Sequence, residues 1–292
     1  MTNPLRIGTR GSPLALAQAH MVADALRATS GVATEIVPIT TSGDVIQDRP
    51  LAEVGGKALW TKELDRALID GRTDLSVHSM KDVETIRPER LVIAAMLERA
   101  DTRDRLIGAD SLDALPLGAR VGTSSPRRTA QLLARRPDLA VSSIRGNVQT
   151  RLDRIARGEF DATLLAAAGL DRLGMAIGAP LEGFLPAPSQ GAIGIEVLAD
   201  NEAARARIAA IDHDETRRCV TAERAFLAAL GGDCHSAVAA RAVLDAGAIR
   251  IEAEILSAEG REVRSGVGDD PAALAARLLA EASPALRAMF AA

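Results

Sequence analysis

Short apolar stretches alternate with helical patterns along the first two-thirds of this chain. In the helical stretches apolar residues return every three or four positions, as at Val22, Ala25 and Leu26. The predicted strands cover residues 5–8, 33–39, 74–78, 120–122, 140–144 and 162–166, and the predicted helices cover residues 13–29, 60–68, 126–136 and 148–157. Alternation of this kind favours α/β domains that are built on parallel sheets.

The last third of the chain has a different order of elements. From about residue 214 the pattern predicts a helix to residue 230, two strands near 237–244 and 249–256, and a final helix from residue 271. This order is typical of a small α+β domain. In the first third, the polar, glycine-bearing stretch at 40–56 is long for a connection inside a domain, so we predict a mobile loop there.

One motif occurs twice, each time between a predicted strand and a predicted helix. The pattern Ser-Pro-x-x-x-Ala-Gln begins at Ser12 and again at Ser125. Serine caps the free amides at a helix start, and proline suits the first helical position. Two interpretations stay open: capping chemistry recurs on its own, or the chain holds two similarly built domains. Two such domains facing each other would form a cleft in which helix N-termini favour anions.

Composition narrows the class of protein. A length of 292 residues, with 47% hydrophobic and 25% charged residues, suits two or three folded domains. No apolar run approaches the roughly 18 residues of a membrane helix, and residues 13–19 make a poor export signal. We therefore expect a cytoplasmic protein that does not enter a membrane.

Charge and aromatic content argue against nucleic acid as the partner. The net charge is −4, and the chain has one tryptophan, four phenylalanines and no tyrosine with which to stack bases. Against this background residues 120–157 are strongly basic, with nine arginines and two aspartates. The arginines are Arg120, Arg127, Arg128, Arg135, Arg136, Arg145, Arg151, Arg154 and Arg157. Cations near a helix start oppose the helix dipole, so this placement favours an anionic ligand, with a solvated basic face as the alternative.

Two further positions carry candidate chemistry. Asp82 follows a predicted strand, where α/β folds place active residues, and it is either a general base or a surface partner of Lys81. Cys234 lies on a glycine-rich turn and is either a functional or a merely free thiol. The only other cysteine is Cys219, and the spacing of cysteines and histidines fits no metal-ligand pattern, so no metal site is predicted.

Several longer motifs, taken in order, resemble the porphobilinogen deaminase (hydroxymethylbilane synthase) family. They are Leu-Arg-Ile-Gly-Thr-Arg-Gly-Ser-Pro-Leu-Ala from Leu5, Gly-Gly-Lys ending at Lys57, His-Ser-Met-Lys-Asp-Val from His78, Gly-Thr-Ser-Ser-Pro-Arg-Arg from Gly122, Arg-Gly-Asn-Val from Arg145, and a cysteine after Gly231 and Gly232. The match runs from the first strand to the cysteine loop. One departure is Glu84, which stands where the family often has proline.

The resemblance implies a fold and an activity. It implies two α/β domains around a cleft, similar to those of periplasmic binding proteins, and a small C-terminal α+β domain. The boundaries would be residues 1–98 with 190–213, residues 99–189, and residues 214–292. The implied enzyme is a monomer that joins four porphobilinogen molecules head to tail, releases ammonia at each step, and frees hydroxymethylbilane by hydrolysis. A non-catalytic binder of a small anion with the same two domains is the alternative.

The resemblance also implies a cofactor and a set of site residues. The cofactor would be a dipyrromethane bound through a thioether to Cys234, and the catalytic residue would be Asp82. The cofactor-binding residues would be Cys234, Ser12, Lys81, Asp82, Thr123, Ser124, Ser125, Arg127, Arg128, Arg145 and Gly146. The substrate-binding residues would be Arg10, Lys57, Arg145, Asn147, Arg151, Arg172 and Gln190.

Overall fold

The described part of the chain contains three β-sheets. The structure, a computed structural model, describes residues 3–42, 58–231 and 236–290. The strands are β1 (Leu5–Arg10), β2 (Thr34–Ile39), β3 (Leu75–Ser79), β4 (Leu91–Met96), β5 (Asp104–Ile107), β6 (Arg120–Gly122), β7 (Ala140–Ser142), β8 (Ala162–Ala166), β9 (Ala179–Pro180), β10 (Ile193–Leu198), β11 (Val238–Asp245), β12 (Ala248–Leu256) and β13 (Val263–Gly268). The helices are α1 (Pro13–Ser30), α2 (Ala58–Ile69), α3 (Pro126–Arg135), α4 (Val148–Ala156), α5 (Ala167–Arg172), α6 (Glu202–Ile208), α7 (Asp214–Ala229), α8 (Pro271–Glu281) and α9 (Pro284–Ala288), with 3₁₀ turns at Met80–Asp82 and Ala209–Ile211.

The chain divides into two compact units. Unit 1 comprises Met1–Ala100 and Gly191–Arg218, and unit 2 comprises Asp101–Gln190 and Cys219–Ala292. Within the described residues of unit 1, one five-stranded sheet has the order β2-β1-β3-β10-β4. β1 runs parallel to β2 and β3, whereas β10 runs antiparallel to β3 and β4. Apolar residues of this sheet and of α1 form the core of the unit, among them Ile7, Leu26 and Ile195.

Unit 2 contains the other two sheets. The first has the order β7-β6-β8-β5-β9, with β6 parallel to β7 and β8, and with β5 antiparallel to β8 and β9. The second is the antiparallel sheet β11-β12-β13, whose own core includes Phe226 and Leu278. The amide of Ala240 donates to the carbonyl of Pro186 at 3.0 Å, which joins the two parts of the unit.

The predicted fold class is confirmed, with one correction to the sheets. Two α/β sheets and a separate small α+β part are present, and the helices at residues 13 and 126 begin where the serine–proline pattern places them. The six strands predicted in the first two-thirds of the chain pair in parallel, as expected. The pattern did not predict β5 and β10, which run antiparallel to their neighbours and make both sheets mixed. Apolar periodicity does not encode strand direction, because a strand presents the same alternation to either kind of neighbour.

Three further expectations concern membrane helices, the loop at 40–56 and the domain boundaries. Among the described residues no helix is both long and apolar enough to span a bilayer. Most of the predicted loop at 40–56 lies outside the described residues. The boundaries of the three domains stay a prediction, since the two compact units divide the chain after residues 100, 190 and 218.

Candidate active site

A pocket lies in unit 1 where β1 and β3 end. These strands are parallel, so their carboxyl ends reach the same edge of the sheet, with Arg10 ending one and Ser79 ending the other. The pocket is lined by Arg10, Ser12, Leu14, Ala15, Gln18, Trp60, Thr61, Leu64, Val77, His78, Ser79, Asp82 and Val83. Three residues predicted to belong to the site, Arg10, Ser12 and Asp82, are thus brought together.

Asp82 is held by a tightly packed turn. It ends the 3₁₀ turn that follows β3, where the predicted Lys81 is its neighbour, and it lies between the buried residues Met80 and Val83. Gly194 on β10 leaves room for this turn, because a Cβ there would lie 2.1 Å from the Met80 sulfur. The Asp82 side chain, itself partly exposed, therefore projects from a fixed backbone, which suits a catalytic group.

Trp60 and Gln18 also line the pocket, although neither was among the predicted binding residues. The Arg10 guanidinium lies 3.8 Å from the centroid of the Trp60 ring, a cation–π distance that orients its N–H donors. Gln18 donates from Nε2 to the hydroxyl of Ser79 at 2.8 Å. Gln18 is the last residue of the repeated Ser-Pro-x-x-x-Ala-Gln pattern, so the repeat was a signal for this position.

A largely buried group of ionisable residues adjoins the pocket, and we name it the Arg87 cluster: Arg87, Asp65, Glu84, Glu196 and His78. Arg87 binds Glu196 through Nε at 2.8 Å, Glu84 through Nη1 at 2.7 Å and Asp65 through Nη2 at 2.5 Å. His78 lies 3.1 Å from the other oxygen of Glu196, so this buried histidine is hydrogen-bonded.

The Arg87 cluster shifts the titration of its members. Burial alone would raise the pKa of Glu196, but the hydrogen bonds and charges of His78 and Arg87 outweigh it and lower the pKa to about 2. At Asp65 burial prevails over the attraction of Arg87, and the pKa is raised. The pKa of Arg87 is raised, because its carboxylate partners more than offset its burial.

In unit 2, loops that follow β6 and β7 lead into α3 and α4. Because the two strands are parallel, the predicted Thr123, Ser124 and Ser125 lie at the same sheet edge as Arg145, Gly146 and Asn147. The Ser124 hydroxyl donates to the carbonyl of Ile144 at 2.6 Å and ties the loops together. Asn147 caps α4 by accepting from the amide of Thr150 at 2.9 Å, and Ser125 caps α3. Two helix N-termini therefore share this edge, which favours anions.

Arg127 and Arg128 already hold a carboxylate of the protein. Their Nη2 atoms donate to Asp104 at 2.8 and 2.7 Å, and Gln190 donates to the same carboxylate at 2.9 Å. Burial would raise the pKa of Asp104, but the two guanidinium groups hold it well below the ordinary value. Burial lowers the pKa of Arg127 although the charges of Asp104 and Glu254 oppose the shift, and its Nε is buried with no hydrogen-bond partner among the described residues.

Two more predicted arginines lie near these loops and helices of unit 2. Arg151, on α4, donates from Nε to the carbonyl of Gly146 at 3.1 Å. Arg172 ends α5, and burial lowers its pKa to about 10 although Asp171 opposes the shift. A cation that is poorly solvated in this way is stabilised by an anionic ligand.

The basic segment at 120–157 is less of a continuous patch than its composition indicated. At least six of its nine arginines form ion pairs with carboxylates: Arg120 with Asp161, Arg127 and Arg128 with Asp104, Arg136 with Asp138, and Arg154 and Arg157 with Glu159. Several of these carboxylates lie outside the segment, so a count within it overstated the positive charge.

Two predicted site residues, Lys57 and Cys234, lie outside the described residues. The second cysteine, Cys219, is buried within α7. In the described part of the chain no three or more His, Cys, Asp or Glu side chains are grouped so that they could hold a metal ion.

Comparisons with known proteins match the chain to a single family along almost its whole length. Residues 5–206 match the family described as "Porphobilinogen deaminase, dipyromethane cofactor binding domain", and residues 217–282 match "Porphobilinogen deaminase, C-terminal domain". A porphobilinogen deaminase of Sphingopyxis alaskensis is 59% identical over 99% of this chain and 97% of its own length. One of Paracoccus denitrificans is 50% identical over 96% of this chain and 93% of its own. Among solved structures, a nutrient binding protein from Burkholderia cenocepacia bound to methionine shares 16% identity, covers 73% of this chain and 94% of its own, and has a TM-score of 0.45.

Proposed function

The chain belongs to the porphobilinogen deaminase family, and from this premise we propose that it joins four porphobilinogen molecules head to tail, releases an ammonia at each addition, and frees hydroxymethylbilane by hydrolysis. The observation that carries the proposal is the pocket of unit 1, where Asp82 lies with Arg10 and Ser12. We further propose, from the family resemblance, that it works as a monomer in the cytoplasm on this small-molecule substrate, without nucleic acid or membrane.

Asp82 is the catalytic residue of the proposal. When the protonated amino group on the aminomethyl side chain of porphobilinogen leaves as ammonia, it takes the electron pair of the C–N bond with it. The methylene carbon stays on the ring, and the pyrrole nitrogen donates electrons to it. Positive charge therefore develops on the pyrrole N–H. A carboxylate fixed at hydrogen-bond distance from that N–H stabilises the charge, because it is oriented before the reaction starts. The same carboxylate can hold a proton that the ring later loses.

The acetate and propionate of each pyrrole ring need cationic partners. In unit 1, Arg10 would bind a substrate carboxylate. Because Arg10 is already stacked on Trp60, its side chain loses less conformational entropy when the substrate binds. In unit 2, Arg145, Asn147, Arg151 and Arg172 would bind the others, with Arg172 favoured by its desolvation. The remaining substrate-binding candidates are Lys57 and Gln190. Gln190 would act through Asp104, to which it is bonded.

The residues present fit a dipyrromethane cofactor, which we propose is bound through a thioether to Cys234. Its carboxylates require cations and amide or hydroxyl donors. The loops of unit 2 supply these in Thr123, Ser124, Ser125, Arg145 and Gly146. Arg127 and Arg128 follow on the adjoining helix, and the buried Nε of Arg127 has no hydrogen-bond partner among the described residues. Ser12, Lys81 and Asp82 are the candidates in unit 1. When bound, the group supplies the pyrrole carbon from which the chain grows.

The catalytic assignment is tested with Asp82→Asn, which keeps the size of the side chain and removes its charge. We expect kcat for ammonia and hydroxymethylbilane formation to fall by at least about 100-fold, in the range typical of a lost charge-stabilising group. Asp24→Asn is the control, since Asp24 is an exposed aspartate on α1 of the same unit, paired with Arg27. An Asp82→Asn variant with the kcat of the parent would refute the role of Asp82.

The cofactor assignment is tested by intact mass under denaturing conditions. We expect the purified protein to exceed its sequence mass by two linked pyrrole units, and Cys234→Ser to lack the increment. Cys219→Ala should retain it, because that buried thiol lies within a helix. If the parent protein is unmodified, incubation with porphobilinogen should add the increment. A mass that stays unchanged after incubation would contradict both the cofactor and the proposed reaction.

A further inference from the structure

The Arg87 cluster has a geometry that the proposed chemistry does not use. We propose that it is a positioning device, in which Glu84 and Arg87 fix the turn that carries Asp82 relative to Trp60 on α2. The inference rests on the proposed function, in which Asp82 is the catalytic residue. Glu84, Arg87, Asp65 and Glu196 do not line the pocket, so any effect they have on the reaction passes through neighbours.

The Arg87 cluster joins separate elements of unit 1 through one guanidinium. Asp65 belongs to α2, Glu196 to β10, and Glu84 to the segment that follows the Asp82 turn. The Arg87 side chain is only 8% exposed and reaches all three carboxylates with hydrogen bonds of 2.5–2.9 Å. A planar fork with five N–H donors can bridge three carboxylates in this way, whereas a lysine ammonium cannot match the geometry.

Residues of the Arg87 cluster lie before and after the turn that carries Asp82, and both make hydrogen bonds. Glu84 follows Asp82 by two residues, and it accepts from the Thr61 hydroxyl at 2.8 and 3.0 Å through its two oxygens. His78 precedes Asp82 by four residues and binds Glu196. Since Thr61 follows Trp60 directly, Glu84 connects the turn of Asp82 to the helix residue that stacks on Arg10. The cluster thereby sets the distance between two walls of the pocket.

The test compares two changes at Glu84, measured on the purified holoenzyme. Glu84→Ala removes both the Thr61 and the Arg87 hydrogen bonds. Glu84→Gln keeps the length of the side chain, with an oxygen for Arg87 and an amide for the Thr61 hydroxyl. We expect Glu84→Ala to lower kcat at least about tenfold with KM within about twofold, because small displacements of a catalytic group reduce the rate steeply. Glu84→Gln should restore most of kcat.

A second readout does not depend on activity. Trp60 is the only tryptophan and the chain has no tyrosine, so ultraviolet emission reports on this wall of the pocket alone. We expect acrylamide to quench Trp60 more strongly in Glu84→Ala than in the parent or in Glu84→Gln. The matched control is Asp74→Ala. Asp74 is also a partly buried carboxylate that pairs with an arginine in unit 1, 26% exposed against 27% for Glu84. It lies at the other end of β3, roughly 15 Å along the strand.

The outcomes separate the two proposals. A parent protein that releases no ammonia from porphobilinogen contradicts the proposed function, and the quenching comparison still decides the role of the Arg87 cluster. An active parent whose Glu84→Ala variant keeps both its kcat and its quenching overturns the positioning role. Equal losses of kcat in Glu84→Ala and Asp74→Ala overturn it too, since they would reflect stability in general.

Discussion

Replacing Asp104 with asparagine should destabilise unit 2 severely. Asp104 is 1% exposed and receives four hydrogen bonds, from Arg127 Nη2 at 2.8 Å, Arg128 Nη2 at 2.7 Å, Arg128 Nε at 3.2 Å and Gln190 Nε2 at 2.9 Å. An asparagine can keep its oxygen toward Arg128 Nη2 and Gln190. Its amide then faces the two remaining guanidinium donors, and the two buried cations lose the carboxylate that both of them bind.

The magnitude follows from those losses. Each lost hydrogen bond to a charged group contributes about 1.5–3 kcal/mol, and two are lost. Removing one partner of a buried ion pair costs about 3–5 kcal/mol in other proteins, which agrees with that count. Because a domain is stable by only about 5–15 kcal/mol, this loss is a large share of the free energy of unfolding.

The assay is urea unfolding at neutral pH, followed by far-ultraviolet circular dichroism. Asp161→Asn is the control, because Asp161 also binds one arginine, Arg120, through both oxygens in unit 2 but is open to solvent. We expect a large fall of the urea midpoint for Asp104→Asn and a much smaller one for Asp161→Asn. Equal shifts for the two variants would refute the argument that burial makes the Asp104 contacts strong.

Three other predictions concern backbone strain at Gly146, the loss of stability in acid, and substrate binding by Arg172. Gly146→Ala should lower the thermal stability more than Gly158→Ala. Both glycines have a positive φ, but of the two only Gly146 would place a Cβ against a side chain, 2.6 Å from Thr150 Cγ2. The melting temperatures of the two variants test this prediction. The pKa values of Glu196 and Asp104 are lowered by folding, so the stability they contribute is complete above their ordinary values of about 4 and is lost as the pH falls below them. The free energy of unfolding should therefore decline between about pH 4 and pH 2, and Glu196→Gln should flatten that decline, whereas an unchanged slope would contradict the assignment. Arg172→Gln should raise KM for porphobilinogen by about tenfold with a smaller change in kcat, because it removes a contact to a substrate carboxylate. The control is Arg157→Gln, which breaks an exposed ion pair with Glu159 and should leave KM unchanged.

Local chemistry explains which parts of the site could be predicted from the sequence. The helix starts at Ser12 and Ser125 depend on a cap and a proline only a few residues apart, so the pattern contains the whole interaction. The same holds for Asn147, whose partner Thr150 is three residues away. The edges where the anion-binding candidates lie follow from these helix starts, since each lies at the end of a parallel strand.

Long-range pairing explains what was missed. Asp104 is more than 20 residues from Arg127 and Arg128, and nothing near it in the chain marks it as their partner. Arg87 collects carboxylates from positions 65, 84 and 196, which become neighbours only when β3 and β10 pair. Charge counted along a segment therefore predicted that arginines gather, but not which of them are neutralised by the fold.

The place of β10 in its sheet has a consequence for the order in which the protein can fold during synthesis. β10 lies between β3 and β4, and in the described sheet β4 pairs with it alone. Residues 193–198 leave the ribosome only after all of residues 101–190. Until then β3 and β4, which are synthesised first, lack β10, the strand with which both of them pair. The five-stranded sheet of unit 2 is encoded without interruption between residues 104 and 180 and can close first. Until β10 arrives, the open edge of β3 is a surface on which nascent chains can pair wrongly.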